Sequence, residues 1–99
     1  MQLNFIGQSV EVTPALRTLV EEKFEKVKRH FDHITSAHVT LNVQKLNHTA
    51  EITVVVPKHQ FHSTGTAEDM YKAVDLMINS LDSQVRKHKE KLSHHHRGE

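Results

Sequence analysis

The chain has no cysteine, no tryptophan, three glycines and two prolines in 99 residues. Without cysteine there is no disulfide, no thiolate metal ligand and no cysteine nucleophile, which suits the cytoplasm. Glycine stands only at positions 7, 65 and 98, so no glycine loop can cradle a phosphate. No apolar run approaches the ~20 residues of a membrane span. Met1 to Val10 lacks a basic start and a long apolar stretch, so no signal peptide is expected. Nucleophile motifs are also missing around Ser9, Ser36, Ser63, Ser80, Ser83 and Ser93. Paired carboxylates such as Glu21 and Glu22 fall on a helix surface with no apolar pocket around them, so the chain is read as non-enzymatic, with no catalytic residue.

The charges that are present are segregated. The formal net charge is +1, yet Arg17, Lys23, Lys26, Lys28 and Arg29 gather in one segment. Arg86, Lys87, Lys89, Lys91 and Arg97 gather in another, while Glu68, Asp69, Asp75 and Asp82 lie between. A nearly neutral protein with such separation can still turn a cationic face to an anionic polymer.

Apolar spacing gives the elements. Gln2 to Ile6 reads as a short strand, with Gly7 to Val12 as the loop that leaves it. Thr13 and Pro14 start a helix, because threonine caps free N–H groups and proline fits the first turn. Leu16, Leu19, Val20, Phe24, Val27 and Phe31 make one stripe on a helix of about 18 residues. Lys23, Lys26, Arg29 and His30 sit on its flank. Ala37, Val39, Leu41 and Val43 alternate with polar residues, and so do Ala50, Ile52, Val54 and Val56. Asn47-His48 is expected to be the turn between these strands. Pro57 stops the second of them, and Lys58-His59 turns the chain. A third, shorter strand carries Phe61 and Ser63 and ends near Gly65. Thr66-x-x-Asp69 resembles a capping box. Met70, Val74, Met77, Ile78, Leu81, Val85, His88 and Leu92 then mark a second helix of about 25 residues.

The predicted fold is α+β, in the order β-α-β-β-β-α, with both helices on one face of a four-stranded sheet. The first two strands are expected to be parallel, joined by a crossover, and the last three to form a meander. Residues 1–93 are read as one domain and 94–99 as a frayed His-rich tail.

Ten histidines invite a metal reading. His59-x-x-His62 spans a turn and a strand and need not converge, whereas His30-x-x-His33 at a helix end could. With no third and fourth placed ligand, no metal site and no cofactor is assigned. His88 lies on the apolar stripe and is read as a core-edge residue. The phenylalanines and Tyr71 fall on or beside apolar stripes, so base stacking is not expected. Any RNA recognition should be of backbone shape and charge. Lys23, Lys26 and Arg29 on one helix and Arg86, Lys87, Lys89 and Lys91 on the other could border one groove, where RNA phosphates would supply counter-charge.

Several segments together resemble the ribosome hibernation-promoting factor family, which includes the ribosome-associated inhibitor protein Y. They are Leu3-Asn4-Phe5-Ile6-Gly7, Val10-Glu11-Val12-Thr13, Ala15-Leu16-Arg17, Phe31-Asp32, Glu68 to Asp75, and Arg86 to Leu92. The likeness runs from Met1 to about Leu92. It implies a double-stranded-RNA-binding-domain-like fold with an added strand, and binding in the messenger and transfer-RNA channel of the small ribosomal subunit. On that implication Lys23, Lys26, Arg86, Lys87, Lys89 and Lys91 face 16S rRNA; Arg29 joins them on helical geometry alone. The length matches the family's short branch, which implies action with ribosome modulation factor to favour inactive ribosome dimers under stress and in stationary phase. Neither a membrane nor a small-molecule substrate is implied. Protein Y-like inhibition of single ribosomes, a general RNA-binding or ribosome-assembly module, and a histidine-based metal or protein-interaction domain remain as alternatives.

Overall fold

The computed structural model describes the backbone of residues 3–31 and 33–97, and the side chains of these as far as Lys89. In chain order the elements are β1 (Asn4–Gln8), α1 (Pro14–Lys28), β2 (Ser36–Gln44), β3 (Asn47–Val56), β4 (His59–Ala67) and α2 (Met70–Arg97). The four strands form one sheet in the order β1-β2-β3-β4. β1 and β2 are parallel, and the other two pairs are antiparallel. Alternation along each strand sends one set of side chains to the helices. Ala37, Val39, Leu41, Ala50, Ile52, Val54 and Phe61 are buried there with Leu16, Val20, Phe24 and Val27 of α1 and Val74, Met77, Leu81 and Val85 of α2. The order, the sheet and the two helices on one face are as expected.

Several local boundaries differ from the sequence expectation, each for a physical reason. β1 includes Gly7 and Gln8, because the parallel register with β2 runs on to Gln8 opposite Asn42. A Cβ on Gly7 would meet the Val10 carbonyl at 2.3 Å, so glycine here permits the chain to fold back beside its own strand. Asn47 and His48 do not turn. Gln44 already pairs with Asn47, which leaves Lys45 and Leu46 as the turn, with Lys45 at φ 57°. The next turn is Pro57-Lys58, one residue earlier than expected; proline followed by φ 70° at Lys58 fits a type II turn. β4 runs to Ala67 rather than Gly65, because β3 offers partners as far as His48.

The helix ends differ too. Thr13 Oγ1 accepts from the Leu16 N–H at 3.2 Å, as foreseen. α1 gives way after Lys28 to a tighter turn, in which the His30 and Phe31 amides bond the carbonyls of Val27 and Lys28. The cap of α2 is Asp69 itself, whose Oδ1 accepts from the Lys72 N–H at 2.9 Å. Thr66 is still in β4, its hydroxyl 3.4 Å from that of Thr49. α2 continues to Arg97, through most of the segment expected to fray. The side chains of Leu92 and of His94 to His96 lie outside the described residues, as does Asp32.

α2 lies tightly on β4. A Cβ on Gly65 would stand 2.2 Å from the Ala73 carbonyl oxygen and 2.5 Å from the Met77 nitrogen. Buried Ser63 donates to the Met77 carbonyl at 2.8 Å. One small residue and one hydroxyl thus fix both the height and the position of the long helix over the sheet.

Candidate nucleic-acid interface

The two helices meet along a seam of polar contacts. Lys23 Nζ lies 2.6 Å from Asp75 Oδ1, and His30 Nε2 lies 3.4 Å from Asp82 Oδ1. Seven residues separate the contacts on each element, so α1 and α2 run side by side in the same direction. Asp82 also receives Arg86 at 3.1 Å, one turn along its own helix. Asp75 is therefore a bridge between the helices, with its carboxylate still largely exposed. The seven-residue spacing from Asp75 to Asp82 puts both acids on one face and was the signal available for it.

Because the helices run in the same direction, the end of α1 lies beside the middle of α2, near Asp82, and α2 continues beyond it to Arg97. Lys26 and Arg29 are exposed at the end of α1, and Arg86, Lys87 and Lys89 towards the end of α2. Among the described residues no ion pair involves Lys26, Arg29, Lys87 or Lys89. Lys26, in the last turn of α1, also complements the negative end of that helix's dipole. Exposed cations lie on both helices here, but they are not equivalent. Lys23 and Arg86 are committed to acids inside the seam. Lys28, unremarked as a site residue, is 3.6 Å from Glu25. Lys87 and Lys89 leave opposite flanks of α2: Lys89 borders a cleft with His30 and His33, and Lys87 a depression with His59 and Gln84. The Lys91 side chain lies outside the described residues.

His88 stands between those flanks. Its ring stacks on His59 at 4.3 Å and meets the edge of Phe61 at 5.3 Å, and Phe61 in turn meets Phe31 at 5.5 Å. His88 is a core-edge residue, as its place on the stripe suggests. His59 and His62 point to opposite faces of the sheet; His62 Nδ1 is 2.9 Å from Thr53 Oγ1 on the open face. His30 and His33 do share one cleft with His88, yet among the described residues no group of three potential ligands could hold a metal ion. The aromatic and histidine cluster was not legible in the sequence, because its members come from three separate segments.

The sequence matches the family described as Sigma 54 modulation protein / S30EA ribosomal protein over residues 3–93. The chain belongs to that family. It is 43% identical over 95 residues to the ribosome hibernation promoting factor of Escherichia coli K12, a match covering 96% of this chain and 100% of the relative. It is also 43% identical over 99 residues to the protein of that name from Azotobacter vinelandii, covering 100% of this chain and 92% of the relative. Among solved structures, a ribosomal subunit interface protein from Coxiella burnetii superposes with a TM-score of 0.85 at 32% identity, covering 91% of this chain and 99% of that one. The Protein Y N-terminal domain of Thermus thermophilus gives 0.80 at 30% identity, covering 88% and 98%. Membership of the family agrees with the β-α-β-β-β-α order. No described helix is long and apolar enough to cross a membrane.

Proposed function

We propose that the chain is a short ribosome hibernation-promoting factor. It binds 16S rRNA in the messenger and transfer-RNA channel of the small subunit, blocks translation, and with ribosome modulation factor favours inactive ribosome dimers. The action is non-enzymatic and cytoplasmic, and it belongs to stress and stationary phase. Residues 1–93 carry it, with 94–99 as a His-rich extension.

The observation that carries this reading is a set of exposed cations, Lys26, Arg29, Lys87 and Lys89, that make no ion pair among the described residues and lie towards the end of α1 and along the second half of α2. It sits on a scaffold whose full-length relatives bear the hibernation name. Among the described residues the two acids between the helices are engaged elsewhere, Asp75 with Lys23 and Asp82 with His30 and Arg86. An anionic polymer is therefore the fitting counter-charge. Arg86 and Lys23 hold the seam and reach RNA from its edge. Lys91, one turn beyond Lys87, extends the set along α2.

The test is a sucrose-gradient profile of ribosomes with and without the protein and ribosome modulation factor, joined to co-sedimentation with small subunits over a salt series. Binding that weakens with salt and is displaced by transfer RNA, with dimers rising when both factors are present, is the expected result. The likeness to a Protein Y domain supports a second reading, inhibition of single ribosomes. In that case binding and displacement remain and the dimer peak does not rise. Binding that ignores transfer RNA would overturn the channel assignment.

A further inference from the structure

A cleft lies under the cations where the end of α1 meets α2. Its volume is about 290 Å³, near the lower limit of roughly 300 Å³ for small-molecule sites. It has room for one flat ring system and little more. The floor is apolar: Phe61 and Val85 are buried, and Phe31 stands edge-on to Phe61. At its mouth are His30, His33, His88 and Lys89.

These features together describe the chemistry of what fits. An apolar floor with aromatic rings takes a flat, weakly polar body. Imidazole nitrogens at the rim can donate to or accept from the polar edge of that body. Lys89 forms no ion pair and offers a charge to an adjoining anion. On the other flank of His88, Lys87 borders a second depression with His59 and Gln84, so a strand crossing the end of α2 meets a cation on each side. A protein side chain could fill the floor but would leave both lysines without counter-charge.

We propose that this cleft receives one unstacked nucleobase of ribosomal RNA, held against the half-buried Phe31 ring, with a neighbouring phosphate on Lys89. The inference deepens the ribosome-binding reading and rests on it. It adds a base-directed contact to recognition that the sequence pattern suggested would be of shape and charge alone, and single-stranded RNA is commonly bound by such stacking.

The experiment compares the full chain with Val56→Trp, which fills the cleft and leaves every charge in place, and with Lys87→Ala/Lys89→Ala, which does the reverse. Thermal melting first confirms that each is folded. If Val56→Trp melts early, Phe31→Leu, which removes a ring and keeps apolar volume, takes its place. Affinity for small subunits is measured across a salt series. The bound rRNA is probed with dimethyl sulfate and carbodiimide for base edges and with hydroxyl radicals for the backbone. The full chain should change the reactivity of one base or a short run of bases. The filled variant should bind on the order of tenfold more weakly, return those bases to free reactivity, and keep the salt slope. Wild-type affinity with unchanged base reactivities in the filled variant overturns the base pocket and leaves the ribosome reading standing. Weakened binding with no change at any base assigns the cleft to a ribosomal protein and also overturns it. Absence of any footprint from the full chain removes the ribosome reading and this inference together.

Discussion

Lys87 and Lys89 are exposed, without ion pairs, and on different flanks of one helix, so their loss should cost binding and little else. Lys87→Ala/Lys89→Ala is expected to lower small-subunit affinity and to reduce the slope of log affinity against log salt by about 1.5, the loss of two phosphate contacts. Its stability should stay within about 0.5 kcal/mol of the parent in a urea melt. An unchanged slope in the folded variant would remove this helix end from the interface. Asp82 predicts the opposite sign. It restrains both His30 and Arg86, and Asp82→Ala frees the guanidinium and raises the net charge by one. Small-subunit affinity should then rise, by roughly threefold if the freed guanidinium makes one exposed charge contact. Lys23 is partly exposed and Asp75 more so, so breaking their bridge should cost stability only ~0.2–1 kcal/mol.

Among the elements, α2 depends on a single position in β4. At Gly65 the backbone of the long helix comes closer to the sheet than a side chain allows. Gly65→Ala must push α2 away at Ala73 and Met77, and it strains the Ser63 hydrogen bond beside it. The expected loss is about 1–3 kcal/mol, the usual cost of overpacking a core, read as a lower midpoint in urea. Ser63→Ala at the same contact should lose about 1 kcal/mol, because the Met77 carbonyl lies within a helix and keeps its backbone partner. Near-equal midpoints for Gly65→Ala and the parent would mean that α2 can ride higher on the sheet without loss. The seam residues respond to the same displacement, since Asp75 and Asp82 lie on this helix.

For the molecule as a whole, one core joins the sheet to both helices, so a charge placed at its centre should unfold everything at once. Leu81 is fully buried, and Leu81→Asp should cost several kcal/mol and collapse the single thermal transition. Lys72→Asp on the outer face, in the first turn of α2, should change stability by less than about 0.5 kcal/mol. A parent-like melt for Leu81→Asp would contradict the packing of both helices on one face. The exposed cations depend on the same arrangement, which sets the end of α1, with Lys26 and Arg29, beside α2, with Lys87 and Lys89.

The sequence by itself determined the element order, the faces of the strands and the two helical stripes, because burial follows short periodicities that are written locally. Ala37 to Val43, Ala50 to Val56 and Leu16 to Val27 needed no partner to be read, and the concentration of cations at the end of α2 was equally plain. What the tertiary structure decided was pairing. Asn47-His48 looked like a turn until Gln44 met Asn47 across it. Thr66 looked like a cap until β3 claimed it as a strand residue opposite Thr49. Asp75 has no partner in its own stretch of chain, and Lys23 meets it from a helix fifty-two positions earlier. The cleft beneath the cations was invisible for the same reason. His30 and Phe31, Val56, Phe61 and His88 share no local pattern, and proximity between distant segments is fixed by the packing of helices on the sheet, which no single stretch of sequence contains.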